Sequence, residues 1–314
     1  MAARAQPPKR PRPPNGASWP FGVFWQQLVN GVMLGVTYAM VALAFNLVVG
    51  AMDKLNFALG ETSMVAAMVA VVFIDARTLP FFVGLLVAIL VGAAVAVLTY
   101  VLCFRLVDNR YFTAPILASL GLGLVMSSAI TRIWGSDHRR VPPVFKGVRI
   151  ELGPVTITGA QLVILGIAAV LAVAMYVFLE RTVWGTAIRG VSDDPATAAL
   201  LGVPVQRIVV LTFALSGVLA GCAGLLSGLS FHTVSPFDGF NTTLVALMII
   251  VVGGVGSIAG GVVGALVIGI VQILSVAYLS ATQRDLIVYA LVGAVVLLRP
   301  QGLFGTNAGV MERV

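Results

Sequence analysis

Apolar residues in this chain run unbroken for lengths comparable to a bilayer, and polar residues gather in short islands between the runs. The runs are Leu28–Gly50, Leu55–Ile74, Leu79–Phe104, Phe112–Trp134, Gly159–Leu179, Ile208–Phe231, Phe240–Val255, Ile258–Leu279 and Leu286–Leu298. They are apolar all round rather than on one helical face, and most approach the ~20 residues that cross hydrocarbon at ~1.5 Å per residue. No Asp, Glu, Lys or Arg occurs from Ile208 to Phe237, and none again from Gly239 to Gln283. A membrane β-barrel would instead show alternating segments of about ten residues. The pattern therefore predicts an all-α polytopic transmembrane helical bundle of about eight or nine spans. Leu55–Ile74 is the candidate for a broken or re-entrant element, because Asp53-Lys54 precede it and Gly60 interrupts it. The preferred count is eight crossings, with the N-terminal tail on the same side as the polar island Glu180–Arg207.

The linkers add detail. Gly135–Thr158 contains Val141-Pro142-Pro143 and then an alternating stretch with a Gly-Pro turn, which predicts a small hairpin on the membrane surface. The Gly-rich stretch Val252–Gly261 lacks the Lys-Ser/Thr ending and the preceding strand of a phosphate loop. It reads instead as a tight turn and a close helix contact.

Composition agrees with the pattern. The chain is 59% hydrophobic and 10% charged, with a mean hydropathy of +1.04. A soluble domain averages about 25% charged residues. The formal net charge is +7. Arg4, Lys9, Arg10 and Arg12 fall in a Pro-rich segment, residues 1–21, that reads as a disordered basic tail touching solvent or lipid headgroups. No secretory cleavage signal is evident, and a nucleic-acid role does not fit a chain otherwise made for lipid. Residues 22–305 read as one transmembrane domain, and 306–314 as a C-terminal tail. Cys103 and Cys222 lie inside apolar runs and read as buried thiols. His138 and His232 have no ligand partners at metal spacing. No metal, cofactor or paired catalytic constellation is expected, so the chain reads as a non-enzyme.

Two places carry chemistry. The first is Leu55–Ser63, where Asn56, Gly60, Glu61 and Ser63 stand in a segment otherwise built for lipid. An acid at membrane depth normally faces a bundle interior or a wet cavity, so these residues are candidates for a polar substrate pathway. The alternative is a hairpin turn near the interface, with Glu61 among headgroups. The second is the island. Within it, Asp194 can cap a helix, Pro195 suits its first position, Asp193 adds charge at its positive end, and Gly202 with Pro204 stops it. The product is a helix of about two turns, too short to stand alone, which needs something to dock on. Lacking Trp or Phe anchors, it suits a protein partner better than lipid.

At the island the sequence resembles the inner-membrane permeases of branched-chain amino acid ABC importers, the LivH-type family. Gly185, Arg189, Asp194, Pro195, Ala198, Leu200, Leu201 and Gly202 carry the likeness within WGTAIRGVSDDPATAALLGV. QQLVNGVMLGVTYAMVALAFNLVVG at 26–50, LNFALGE at 55–61, VGGVGSIAGG at 252–261 and LRPQGLFG at 298–305 agree in order. The resemblance implies a multi-pass bacterial inner-membrane subunit that forms half of a pathway with a LivM-like second permease. It also implies two cytoplasmic ATPase subunits and an extracytoplasmic substrate-binding protein. In that setting 180–207 is the coupling loop, and Arg189, Asp193, Asp194, Pro195, Leu200, Leu201 and Gly202 are its coupling residues. The family usually has His before Gly-Glu, where this chain has Leu59. Relatives carry leucine, isoleucine and valine, but also urea, short amides and aromatic acids. A proton-coupled secondary transporter using Glu61 is the alternative function.

Overall fold

The computed structural model describes residues 19–77, 80–107, 111, 113–142, 147–280 and 282–304. The basic residues of the N-terminal tail and residues 306–314 lie outside them. Each predicted apolar run contains a helix. In chain order these are α1 (Trp19–Met52), α2 (Leu59–Arg77), α3 (Phe81–Thr99) and α4 (Thr113–Trp134). They continue with α5 (Gly159–Arg181), α8 (Val205–Phe231), α9 (Asp238–Gly253), α10 (Ile258–Tyr278) and α11 (Arg284–Leu298). A single π-helical turn, Tyr100–Arg105, extends α3. Six of these helices are long and apolar enough to cross a membrane. α2 is more polar, and α9 and α11 are shorter.

The polar island forms two helices, α6 (Val183–Asp193) and α7 (Pro195–Leu200). Four short strands complete the described structure: β1 (Arg139–Arg140), β2 (Arg149–Leu152), β3 (Val155–Thr158) and β4 (Thr233–Val234). The expected hairpin is the antiparallel pair β2–β3, turning at Gly153 with φ 61°. Gln26 of α1 clamps it: Thr156 N donates to Gln26 Oε1 at 2.7 Å, and Gln26 Nε2 donates to Thr156 O at 3.1 Å. β1 pairs with β4, a contact between segments remote in sequence.

Helix contacts orient the chain. α1 ends at the island, where the Ser192 hydroxyl donates to the Gly50 carbonyl. α8 leaves the island and runs to β4. α3 packs antiparallel on α8 through Gly92, Gly217 and Gly221, where an added Cβ would strike the facing helix backbone. That close approach is the small-residue packing that membrane helices use when lipid supplies no hydrophobic drive. α10 packs against α1, and its start is tied to α1 by Asn46 Nδ2 donating to Ser257 O at 3.1 Å. The Gly-rich stretch is the expected turn: Gly254 and Gly256 take φ of 107° and 79°, and Ser257 caps α10 by accepting from Gly260 N at 3.0 Å.

The unusual element is the connection from α1 to α2. α1 finishes at the island end, yet α2 begins level with the middle of α4, where Phe57 N donates to Ser119 Oγ at 3.1 Å. Residues 53–58 therefore enter the bundle without helix before α2 begins. Irregular backbone at membrane depth survives only when protein satisfies its polar groups, and side chains of α4 and α9 do so here. This is the broken element expected of Leu55–Ile74. The break lies at Asp53, with φ 51°, and not at Gly60, which is already helical. α1 itself starts beside the hairpin and ends at the island.

Candidate functional site

Four elements converge on Glu61: the non-helical climb, the first turn of α2, the middle of α4 and the first turn of α9. Asn56 is 1% exposed and Glu61 6% exposed, which places the acid inside the bundle rather than among headgroups. Asn56 Oδ1 accepts from Ala58 N at 3.0 Å, an Asx-type turn that ends the climb. Gly60 N donates to Thr243 Oγ1 at 3.0 Å, and that hydroxyl donates in turn to Phe57 O at 3.2 Å. The Glu61 side chain fills a slot between two glycines. A Cβ on Gly123 of α4 would come within 3.0 Å of Glu61 Cγ, and one on Gly239 of α9 would collide with the carboxyl group. Among the described residues, Glu61 Oε2 and Asn56 Nδ2 have no hydrogen-bond partner. The carboxyl also lies at the amino end of α9, whose free N–H groups favour negative charge.

Ser63 does not join this cluster. Two residues along a helix turn the side chain about 200°, so Ser63 faces α8, where a Cβ on Gly224 would meet its hydroxyl at 2.6 Å. The predicted pathway residues are thus split: Asn56, Gly60 and Glu61 lie on the α4 and α9 side, and Ser63 on the other. Leu59, the first residue of α2, is fully buried. Ser119 and Thr243, which hold the climb in place, carried no signal in the sequence because their partners lie far along the chain.

The island is built as its sequence predicts, with one addition. Asp194 caps α7, accepting from Ala196 N at 2.9 Å and Thr197 N at 3.2 Å, and from the Thr197 hydroxyl. These hydrogen bonds, the one from the Thr197 side chain foremost, hold the exposed Asp194 carboxyl below the usual carboxylate range. Pro195 is the first helical residue, and Gly202 takes φ 83° just beyond the end. The addition is α6, an amphipathic helix that buries Gly185, Ile188 and Val191. Its spacing was legible as an i, i+3, i+6 apolar stripe. Asp193 is the last residue of α6, where its negative charge opposes that helix's dipole, and it stands just before the Asp194 cap of α7 rather than in its first turn. Arg189 ties α6 to α5: its Nη1 lies 2.9 Å from Glu180 Oε2 and donates to Leu179 O at 2.8 Å. Leu200 and Leu201 are 88% and 79% exposed at the tip.

The described chain is a multi-pass helical bundle with an irregular polar element inside it and a two-helix projection at one end. The family described as branched-chain amino acid transport system / permease component matches residues 27–298, and the chain belongs to it. The high-affinity branched-chain amino acid transport system permease protein LivH of Salmonella typhimurium is 31% identical over 297 residues, spanning 91% of this chain and 96% of that protein. LivH of Escherichia coli strain K12 shows the same identity and coverage. BraD of Pseudomonas aeruginosa, a permease protein of the same kind of system, is 26% identical over 90% of this chain and 96% of its own length.

Proposed function

We propose that this chain is one permease subunit of an ATP-binding cassette importer in the inner membrane, carrying branched-chain amino acids or a related small amphipathic solute. It forms half of the pathway with a second, LivM-like permease. An extracytoplasmic binding protein delivers solute at the hairpin end, and two ATPase subunits drive transport from the island end. The observation that carries this reading is the island, residues 180–207. A short helix cannot hold itself together in water, yet α7 is capped, anchored through α6 to α1 and α5, and presents two nearly bare leucines. That is a surface made to enter a partner's groove. Arg189, Asp193, Asp194, Pro195 and Gly202 set its shape; Leu200 and Leu201 make the contact.

Movement of α6–α7 with the ATPases rocks the attached helices and changes access around Asn56, Gly60, Glu61 and Ser63. The energy enters through differential contacts of the island in two states, as coupling requires. The chain itself does no covalent chemistry. The names of the relatives favour this reading over a proton-coupled carrier using Glu61.

The test is co-purification. Leu200→Asp with Leu201→Asp changes only exposed positions, so folding is preserved. The doubly substituted chain is expected to lose both ATPase subunits while retaining its permease partner. Retention of both ATPases at the unaltered ratio would refute the coupling assignment.

A further inference from the structure

A cavity of about 430 Å³ lies between α1, α2, α8, α9, α10 and α11. That volume is within the ~300–1,000 Å³ of small-molecule sites. It is separate from the Glu61 cluster, since none of its lining residues is Asn56, Gly60 or Glu61. Its walls come from the C-terminal half of α8 and the first turns of α9 and α11, so it opens toward the end opposite the island.

Its chemistry is mixed in a specific way. Tyr38 OH donates to Gln272 Oε1 at 2.9 Å, which fixes the amide and points its Nε2 donors elsewhere. Gln272 is 4% exposed and lines the cavity. A polar side chain at membrane depth is costly unless it is partnered or faces a wet cavity, and this one has both a partner and a cavity. Ser63 and Ser227 add hydroxyls to the same wall, and Met64, Val245 and Met248 add apolar surface. At the mouth stand Arg284 and Asp285, paired at 2.9 Å and both substantially exposed. An adjacent cation and anion, an amide donor and an aliphatic wall complement a solute with an ammonium, a carboxylate and an apolar side chain.

We infer that this cavity is a solute site inside a single permease chain, taking an aliphatic α-amino acid as its zwitterion. The inference rests on the transport reading above and deepens it: solute is held within one subunit, beside Ser63, and not only between two subunits. Arg284 and Asp285 exchange their mutual contact for the carboxylate and ammonium. Gln272 donates to the carboxylate, and the methionine and valine side chains meet the aliphatic part.

The test uses the complete transporter in proteoliposomes. In a Cys103→Ala, Cys222→Ala background, Ser227→Cys places one thiol on the cavity wall. Saturating leucine, with ATPases and binding protein present, is expected to slow its modification by a small methanethiosulfonate reagent about tenfold. Gln272→Leu, which keeps the volume and removes the donor, is expected to abolish that protection and to lower leucine uptake about tenfold, with ATP hydrolysis little changed. Intact leucine uptake with an unprotected thiol overturns the site and leaves the transport reading standing. If the unaltered transporter moves urea or a short amide but not leucine, both the amino-acid reading and the site fall.

Discussion

Gly60→Ala is the most direct probe of the packing around Glu61. Gly60 is helical with no positive φ, so the methyl group meets no backbone strain of its own. It meets neighbours instead. An added Cβ would collide with the Gly239 carbonyl and the Thr243 hydroxyl, and would lie 2.6 Å from Thr243 N. These are backbone and first-turn atoms of α9, which cannot swing aside as a side-chain tip would. α2 and α9 must separate, and the Gly60 N to Thr243 Oγ1 hydrogen bond of 3.0 Å goes with them. Overpacking of this kind costs about 1–3 kcal/mol, and a hydrogen bond between membrane helices adds about 0.6–1.7 kcal/mol. The expected loss is about 2–4 kcal/mol, seen as a fall of about 5 °C or more in the unfolding midpoint of the detergent-solubilised protein. Gly166→Ala is the control: Gly166 is helical and an added Cβ there meets nothing within 4 Å. It is expected to stabilise by up to about 1 kcal/mol through backbone entropy. Equal midpoints for the two variants would refute the claim that α2 and α9 are in backbone contact at Gly60.

Other outcomes follow from the same contacts. Gln26→Leu removes both hydrogen bonds that hold β3 to α1, at about 1 kcal/mol each, and should expose the hairpin to proteolysis near Gly153 without lowering ATPase association. Glu180→Gln breaks a half-exposed ion pair, a contact worth under ~1 kcal/mol after screening; an unfolding midpoint unchanged within error is expected, and a large drop would show the pair to be buried in the assembly. For pH, the folded Asp194 carboxyl sits below its unfolded value. Its contribution is therefore fully present above the unfolded pKa and is lost as pH falls through the folded one. Co-purification of the ATPases should accordingly be flat from neutral pH down to the ordinary carboxylate range and weaken only below it. A loss centred near pH 6 would implicate another group.

The spans were legible because lipid demands long apolar runs, and a helix that satisfies its own backbone is the only way to use them singly. α7 was legible because Asp194, Pro195 and Gly202 each act within a few residues. α6 carried an equally local stripe in Gly185, Ile188 and Val191, but it was hidden inside a stretch treated as one loop. The pairing of Arg139–Arg140 with Thr233–Val234 was not legible, since two-residue strands leave no periodicity and their partners are distant in sequence. The depth of Glu61 depended on α4 and α9, through Gly123 and Gly239, and no spacing around residue 61 reports on either. The direction of Ser63 follows from helix geometry once the start of α2 is known. That start depends on Ser119 and Thr243.

α1 has 34 residues, so as a straight rod it is about 51 Å long, against a hydrocarbon thickness of about 30 Å. It is fastened at one end by Gln26 to the hairpin and at the other by Gly50 to α6. No loop interrupts it. A push on the island therefore has a stiff strut to travel along, and the hairpin at one end of the bundle is mechanically bound to the projection at the other.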